Sequence, residues 1–453
     1  MGSYTGSMWA TITACLVAGG TDLPVFAHYM PWFETPASNL EAPGQWGYHW
    51  TLQNRNPNII LPNGQRDIAS HFYPLIEPYA SSDPDVIEYH LLLMKAAGID
   101  GIIIDWYGVQ GTNGDIGGLL RNSDAIANEV STYGLEFAVM LEDRFSANIG
   151  DAVANVGYCR DNYFNLPSYA RDDQTNEPWF FNFGPITFEF PSAWNQILSA
   201  AGEPVQFLPL QYQSGEVGIN GDGEFYWPTE DEALDNHLTL LNIFYNNRAP
   251  GLNRAVGAVY PSFIDFYEEG GVGDIIGFEI PYEDGGTLED TIDAALANED
   301  KIEMVQLTTW NDFGEGTIFE PTVERGFQDL IALQRLTGST APPSAYQSIF
   351  RLFQNRKRAG EACNPIVALS QLQNIATQLN LGSYATAEFL LDLWDEDYEC
   401  CPGDLDGNGA VDFTDLLSVL GAFGSTDPEA DANGDGAVEF ADILFLLARW
   451  GPC

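Results

Sequence analysis

Eight short apolar segments of strand type alternate with amphipathic helical segments between residues 25 and 340. The hydrophobic pattern predicts strands at 25–30, 101–106, 135–141, 178–183, 205–210, 255–260, 274–280 and 304–310. Strands joined through helices pair in parallel by right-handed crossovers. Eight such units predict an α/β fold, a (β/α)8 TIM barrel. A doubly wound open sheet is the alternative architecture, although no G-x-G-x-x-G motif follows any of these strands.

The last predicted strand runs into a polar turn that holds two carboxylates, Asp312 and Glu315. Gly314 and Gly316 flank the second acid and allow a tight bend close to a ligand. Hydrolysis of a glycosidic bond needs one protonated and one ionised carboxyl group, which this pair can supply. We therefore predict that Asp312 and Glu315 are catalytic. The alternative to a catalytic pair is an ordinary acidic surface loop closed by glycines.

Aromatic and polar residues follow the other predicted strands. Because the carboxyl ends of barrel strands meet at one face, we expect these residues to form a carbohydrate cleft, with rings stacking on sugars and acids binding hydroxyls. The predicted substrate-binding residues are His28, Tyr29, Trp32, Trp46, His49, Trp50, Asp105, Trp106, Glu142, Asp143, Glu283, Trp310 and Asn311.

Each of these residues also has a structural alternative. His28 could be a core histidine, Asp105 and Asp143 could cap loops, and the tryptophans of the loop after the first strand could simply pack it against the barrel. The conjunction of so many at one end of the predicted barrel favours the cleft.

Net charge limits the possible partners. The chain has 17 basic and 65 acidic residues, a formal charge of −48. Such a charge argues against binding to nucleic acid or to an anionic membrane, and it fits calcium binding or a saline habitat. No apolar run is long enough to predict a membrane span. Residues 8–20 have the length of a signal-peptide core, without a preceding Lys or Arg, so we expect a secreted or cell-surface protein. A disordered N-terminal extension is the alternative.

Three motifs resemble a known group of enzymes: HYMPW at 28–32, GIDGIIIDWYG at 98–108 and TWNDFGE at 309–315. They look like the barrels of glycoside hydrolase families 71 and 99, which include α-1,3-glucanases and endo-α-mannosidases. The resemblance implies an O-glycosyl hydrolase with Glu315 as general acid and Asp312 as base, and it implies no catalytic cofactor. The sequence of the last motif is closer to that of the glucanases than to the Glu-Trp-His-Glu of the endo-mannosidases. The implied substrate is an α-glucan or α-mannan type of polysaccharide.

The C-terminal residues contain a repeat: 404–415 (DLDGNGAVDFTD) and 431–442 (DANGDGAVEFAD) match position by position. Oxygen ligands at loop positions 1, 3, 5 and 12, with glycine at position 6, are typical of a calcium loop of EF-hand type. Each loop is predicted to run into one helix, at 416–423 and 443–450. The predicted ligands of two structural Ca²⁺ ions are Asp404, Asp406, Asn408, Ala410, Asp412, Asp415, Asp431, Asn433, Asp435, Ala437, Glu439 and Asp442.

This duplicated loop and helix resembles a dockerin type I module, which implies a cohesin-like protein or a cell-surface anchor as partner. Cys401 and Cys453 bracket the repeat and could form a disulfide, with Cys363 and Cys400 as a second bridge or in the opposite pairing. Cys15 lies in the possible signal segment. Disulfides would place the protein in an oxidising compartment, which supports export.

The predicted domains are residues 1–22 as signal peptide or extension, 23–340 as catalytic barrel, 341–399 as a helical appendage, and 400–453 as an all-α calcium module. Two helical patterns, 346–359 and 364–395, make up the appendage. The first hypothesis is a secreted glycosidase tethered through its tail. The second is a carbohydrate-binding or surface-assembly protein without catalysis, and release of reducing ends from a glycan separates the two.

Overall fold

The computed structural model describes residues 20–231, 236–361, 365–397 and 403–452. Its barrel consists of eight strands: β1 Val25–Tyr29, β2 Gly101–Trp106, β3 Glu136–Leu141, β4 Trp179–Asn182, β5 Gln206–Pro209, β6 Gly223–Phe225, β7 Arg254–Val259 and β8 Met304–Leu307. The helices of this part are α1 Tyr48–Thr51, α2 Pro84–Ala97, α3 Ile116–Glu129, α4 Ile149–Asn162, α5 Pro191–Leu198, α6 Ser214–Val217, α7 His237–Ile243, α8 Gly286–Leu296 and α9 Gln328–Thr337.

The strands pair in parallel in the order β5-β4-β3-β2-β1-β8-β7-β6. β1 lies between β2 and β8, with Phe26 opposite Gly101 and Val25 opposite Val305. A parallel bridge between Leu210 and Phe225 joins the two ends of the sheet, so the barrel is closed. The predicted (β/α)8 barrel is thereby confirmed, and the open-sheet alternative is wrong.

One predicted strand is wrong and one real strand was missed. Residues 274–280 form an irregular, largely exposed loop whose Ile280 makes only an isolated bridge to Phe263. β6 spans three residues, Gly223–Phe225, which is too short to show a hydrophobic period. Segment 255–260 therefore contains the seventh strand, and Glu283 does not follow a barrel strand.

Strand alternation decides which side chains face the barrel interior. Successive side chains of a strand point to opposite faces. In β1, His28 lies against Trp227, with ring centroids 4.9 Å apart, whereas the Tyr29 hydroxyl bonds to His90 of α2 at 3.0 Å. In β2, Asp105 takes the inward position, so Trp106 packs outward against Tyr158 of α4. The same parity governs the composition of the cleft described below.

Three further helices follow the barrel: α10 Pro343–Arg358, α11 Pro365–Asn380 and α12 Tyr384–Asp397. The second predicted helix is thus two helices, because Gly382 turns the chain with a φ of 71°. The basic residues of α10 bind carboxylates of the same chain: Arg356 contacts Glu88 of α2 at 2.9 Å, and Lys357 contacts Asp83 at 2.6 Å. These basic residues of α10 therefore serve as internal partners for acids of the same chain.

The C-terminal residues form a small core of their own around Val411, Val419, Val438 and Leu446. Two helices, α13 Phe413–Gly421 and α14 Phe440–Leu447, each follow one of the repeated loops. Both begin three residues earlier than predicted because capping boxes, Asp412 with Asp415 and Glu439 with Asp442, start them. Short strands β9 Ala410–Val411 and β10 Gly451–Pro452 pair antiparallel, so these residues are not entirely helical.

None of the helices in the described ranges is long and apolar enough to cross a membrane. Cys363, Cys400, Cys401 and Cys453, like Cys15, lie outside the described residues, so their predicted bridges stay predictions. The described Cys159 is a buried free thiol in α4.

Candidate active site

Four carboxyl groups meet at the carboxyl end of the barrel. Asp105 stands at the end of β2, Glu142 directly follows β3, and Asp312 and Glu315 occupy the turn after β8. Asp105, Glu142 and Asp312 are buried, and Glu315 is partly exposed. After burial, the charge of Asp312 raises the pKa of each of the other three acids, which requires that they lie close to it.

The turn 309–316 is fixed by its own hydrogen bonds. The hydroxyl of Thr309 accepts the Asp312 N–H at 2.8 Å, and the Asp312 Oδ1 accepts the Glu315 N–H at 3.0 Å. Gly316 has a φ of 66°, and a Cβ there would lie 2.5 Å from the carbonyl oxygen of Ile264. A side chain at 316 is therefore excluded, which confirms that a glycine bends this turn.

The two acids of this turn differ in what supports their charged forms. Burial raises the pKa of Asp312 to about 7, while the backbone N–H groups of Glu315 and Gly314 oppose the rise. Burial and then the Asp312 charge raise the pKa of Glu315 well above its usual range, and the Tyr267 hydroxyl opposes that rise. Glu315 is therefore the group that keeps its proton near neutral pH, and Asp312 is the more easily ionised one.

A second pair of acids adjoins the first. Burial and then the Glu142 charge raise the pKa of Asp105, and no side chain of the described residues donates a hydrogen bond to either of its oxygens. The guanidinium of Arg144 pairs with both oxygens of Glu142, with its Nε 2.8 Å from Oε2. Burial nevertheless raises the pKa of Glu142 to about 7. Asp105 can accept hydrogen bonds from sugar hydroxyls when it is ionised and donate one when it is protonated, since no other side chain of the described residues bonds to its oxygens.

Aromatic rings and two histidines line the cleft beside the acids. Trp32 stacks on His49 with centroids 3.9 Å apart and nearly parallel planes, and both are only partly buried. Trp227 contacts both His28 and Phe183 edge to face at 4.9 Å. Burial lowers the pKa of His28 and of His49 to about 3, so both rings are neutral. Flat surfaces of this kind suit sugar faces.

Three of the predicted substrate-binding residues lie on the outer side of the barrel, which faces the helices. Tyr29 and Trp310 contact His90 of α2, and Trp106 packs against Tyr158 and Tyr163, so all three are fully buried between strands and helices. For Tyr29 and Trp106 this placement follows from strand parity: His28 and Asp105 face inward, so their neighbours cannot. Trp310 lies beyond the end of β8, so strand parity does not decide its direction.

Two further predicted contact residues hold loops together. The side chain of Asn311 accepts the Met30 N–H at 2.8 Å and donates to the Met30 carbonyl at 3.0 Å, which joins the loops after β1 and β8. Trp50 is fully buried, and its Nε1 donates to the Tyr79 carbonyl. Both positions are structural.

The structure also assigns Asp143 and Glu283 to other places. Asp143 is buried and accepts hydrogen bonds from the N–H groups of Ile186, Thr187 and Phe188. It therefore caps the loop after β4, which is the structural alternative given for it from the sequence. Glu283 is exposed in a 3-10 turn, Glu283–Gly285, directly before α8. Trp46 contacts Asn58 and Arg66 in its own loop.

Sequence reasoning missed Tyr267, Tyr107, Phe183 and Trp227. The Tyr267 hydroxyl donates to Glu315 Oε1 at 3.3 Å. Tyr107 is buried beside Asp105, and burial and then the charges of Asp105, Glu142 and Asp312 raise its pKa. The hydrophobic pattern could not locate Trp227 and Tyr267. Trp227 follows β6, the strand that was missed, and Tyr267 lies in the long loop after β7, which also contains residues 274–280, wrongly predicted as a strand.

Several known proteins are similar to this chain. Residues 22–211 match the model of Glycosyl hydrolase family 99. Glycoprotein endo-alpha-1,2-mannosidase of Rattus norvegicus is 23% identical over 358 residues, 73% of this chain and 74% of the relative. That of Xenopus laevis is 26% identical over 67% of this chain and 70% of its own. The GH99 endo-alpha-mannosidase of Bacteroides thetaiotaomicron shares the fold with a TM-score of 0.54 at 19% identity, covering 74% of this chain and 99% of the other.

The barrel and these relatives define the chain as a glycosidase. Within that class its similarity is to family 99 and to endo-α-mannosidases, and the matched residues 22–211 include His28, Asp105 and Glu142. The turn with Asp312 and Glu315 lies beyond residues 22–211, the part of the chain that the family model matches. Its likeness to the glucanase motif therefore stays a prediction.

The first C-terminal loop gathers its predicted calcium ligands. Asp404, Asp406 and Asp415 offer carboxylate oxygens that lie within 4.8 Å of one another. Asp415 is buried and also accepts the N–H groups of Leu405, Asp406 and Asp412. In the second loop Asp442 accepts those of Asn433 and Glu439. Hard oxygen donors clustered in this way fit Ca²⁺.

Proposed function

We propose that the chain is an endo-acting hydrolase of an α-linked mannan-type glycan. The observation that carries the proposal is the turn after β8, which offers one carboxyl with backbone support for its charge and one that keeps its proton. The names of the relatives supply the substrate class and the endo action, and the cleft aromatics suit a polymer bound by its sugar faces.

The chemistry divides between the two acids. Glu315 gives its proton to the glycosidic oxygen as the bond to the anomeric carbon breaks. Asp312 removes a proton from the attacking group as that group bonds to the anomeric carbon, and so ends protonated. The attacking group is a water molecule or a hydroxyl of the substrate itself; in the second case water then opens the anhydro sugar to complete hydrolysis. Asp105 and the Glu142–Arg144 pair hold sugar hydroxyls beside the reacting carbon, since Asp105 has unused oxygens and Arg144 is partly exposed.

The test compares Asp312→Asn and Glu315→Gln with the control Asp161→Asn, an exposed acid of α4. We expect the two cleft variants to lose about 10²- to 10⁴-fold in kcat/KM on α-mannan, while the control keeps wild-type activity. Equal melting temperatures show that folding is intact. Wild-type turnover in both cleft variants would refute the assignment.

Product analysis then fixes the substrate. α-1,2-, α-1,3- and α-1,6-linked mannans are compared with α-1,3-glucan, and we expect oligosaccharides from a mannan. Release from the glucan alone would instead favour the glucanase-like motif at 309–315. The anomeric form of the first product, read by NMR, distinguishes attack by water with inversion from routes with retention.

We further propose that residues 400–453 bind two structural Ca²⁺ ions and attach an exported enzyme to a cohesin-like protein or cell-surface anchor. The oxygen cluster of Asp404, Asp406 and Asp415 supports the calcium part. Exposed apolar residues recur 27 positions apart on the two helices, as in Leu417 and Leu444, and support the docking part. Pull-down of cohesin domains with the full chain, with and without chelator, tests it, and binding that ignores calcium would count against it.

A further inference from the structure

A strap of the loop after β7, residues 264–273, lies across the turn that holds Asp312 and Glu315. The N–H of Ile264 donates to the Glu315 carbonyl at 2.8 Å, and the N–H of Phe266 donates to the Gly314 carbonyl at 2.8 Å. The strap and the turn are therefore joined backbone to backbone on either side of Glu315.

The strap is also anchored at its far side. The N–H of Gln53 donates to the Gly270 carbonyl at 3.0 Å, and the Asn54 amide donates to the Glu269 carbonyl at 2.7 Å. Phe266 is buried in a small apolar cluster with Leu52 and Ala69. Because both ends of the strap are held, the side chain between them has a defined position.

That side chain is Tyr267, whose hydroxyl donates to Oε1 of Glu315 at 3.3 Å. The other oxygen, Oε2, is shielded from solvent and has no hydrogen-bond partner among the described residues. One carboxyl oxygen is thus occupied by a donor, while its companion is available to carry the proton.

We propose that Tyr267 is a positioning residue for the general acid: its hydroxyl fixes the Glu315 carboxyl through Oε1 while that carboxyl delivers its proton to the glycosidic oxygen. This inference rests on the proposed role of Glu315. When Glu315 gives up its proton, the O–H of Tyr267 stabilises the carboxylate that forms, because a hydrogen bond to the charged form favours it. The phenol keeps its own proton throughout, since burial and the charge of Glu315 raise the pKa of Tyr267.

The test is Tyr267→Phe, assayed with aryl glycosides of α-mannobiose whose phenol leaving groups differ in pKa. A good leaving group departs without protonation, so help from a general acid matters only for poor ones. We expect kcat/KM of Tyr267→Phe to fall about five- to tenfold for the most basic phenols and to equal that of the wild type for the most acidic. The pH profile adds a second readout: its alkaline limb moves to higher pH, because Glu315 has lost a donor that lowers its pKa.

The control is Tyr282→Phe, which removes another tyrosine-to-carboxylate bond of the same loop, to Asp329 at 2.8 Å. It lies outside the cleft, and we expect wild-type kinetics on every substrate. An equal loss by Tyr267→Phe on all leaving groups, or no loss at all, overturns the inference. Glu315→Gln must show the same leaving-group dependence with a larger amplitude. If Glu315→Gln is fully active, the proposed function itself fails, and that outcome is distinct from a failure of Tyr267 alone.

Discussion

The main-chain N–H of Glu315 donates a hydrogen bond to the carboxylate of Asp312 over 3.0 Å. The backbone of Glu315 thus stabilises the charged form of Asp312, while the Glu315 carboxyl receives no such hydrogen bond from Asp312. Burial acts on both, yet the charged form is better supported at Asp312. This asymmetry separates a base from an acid only three residues apart.

The first prediction concerns the pH dependence of kcat/KM. Asp312 must be ionised and has a pKa of about 7, so activity rises as the pH increases through about 7. Activity falls again at higher pH, where Glu315 loses its proton. Initial rates from pH 4.5 to 10 check both limbs. Glu142→Gln should keep the acidic limb, since Asp312 still has to ionise. A wild-type profile of kcat/KM that is flat below pH 7 would contradict the assignment of Asp312 as the base.

The second prediction concerns stability and Asp105. Its pKa is raised in the folded state by burial and by Glu142, so the folded protein holds this proton more tightly than the unfolded chain. Stability from this group is therefore fully present below the unfolded pKa and is lost as the pH rises toward the folded pKa. Asp105→Asn is neutral at every pH and should escape this loss.

As the pH rises above the unfolded pKa of about 3.9, we expect the free energy of unfolding of the wild type to fall more steeply than that of Asp105→Asn, by at most about 1.4 kcal/mol per pH unit. Urea titrations at several pH values measure both slopes. Asp161→Asn, an exposed acid, should follow the wild type. Parallel slopes for Asp105→Asn and the wild type would mean that Asp105 ionises freely.

The third prediction concerns Asn311. Its amide bonds both the N–H and the carbonyl of Met30, and Tyr79 beside it donates to the buried carboxylate of Glu320 at 2.6 Å. Asn311→Ala leaves two buried backbone groups unpaired, each costing roughly 1–3 kcal/mol. The variant should unfold at lower urea, and kcat should fall because Asp312 is adjacent. Asn58→Ala, an exposed position, should change neither quantity.

The positions of the acidic residues in the cleft could be predicted from the sequence better than those of the aromatic residues. Carboxylates that end parallel strands must meet at one face, so Asp105, Glu142, Asp312 and Glu315 could be placed without coordinates. The tryptophans next to them could not be placed by proximity alone: Trp106 follows an inward-facing Asp105 and must therefore face outward. Tyr267 reaches the site from a long loop through hydrogen bonds that leave no periodic pattern.

The fourth prediction concerns removal of metal from the C-terminal loops. Each loop contains four acidic residues in sequence, and in the first loop the carboxylates of Asp404, Asp406 and Asp415 lie close enough for a divalent ion to relieve their repulsion. Calcium binding only to the folded form stabilises it by about 2.7 kcal/mol when free calcium exceeds the dissociation constant 100-fold. In the full chain, the thermal transition of these residues should therefore move to lower temperature in EDTA.

Isothermal titration calorimetry of the full chain separates the two loops. We expect two binding sites in the wild type and one in the double variant Asp404→Asn, Asp406→Asn, because the second loop keeps its own predicted ligands Asp431, Asp435 and Asp442. We expect no role for the ion in the barrel, so hydrolysis of a soluble oligosaccharide should be equal with and without EDTA. Two sites remaining in the double variant would exclude Asp404 and Asp406 as ligands, and a loss of hydrolysis in EDTA would show that calcium acts beyond the tail.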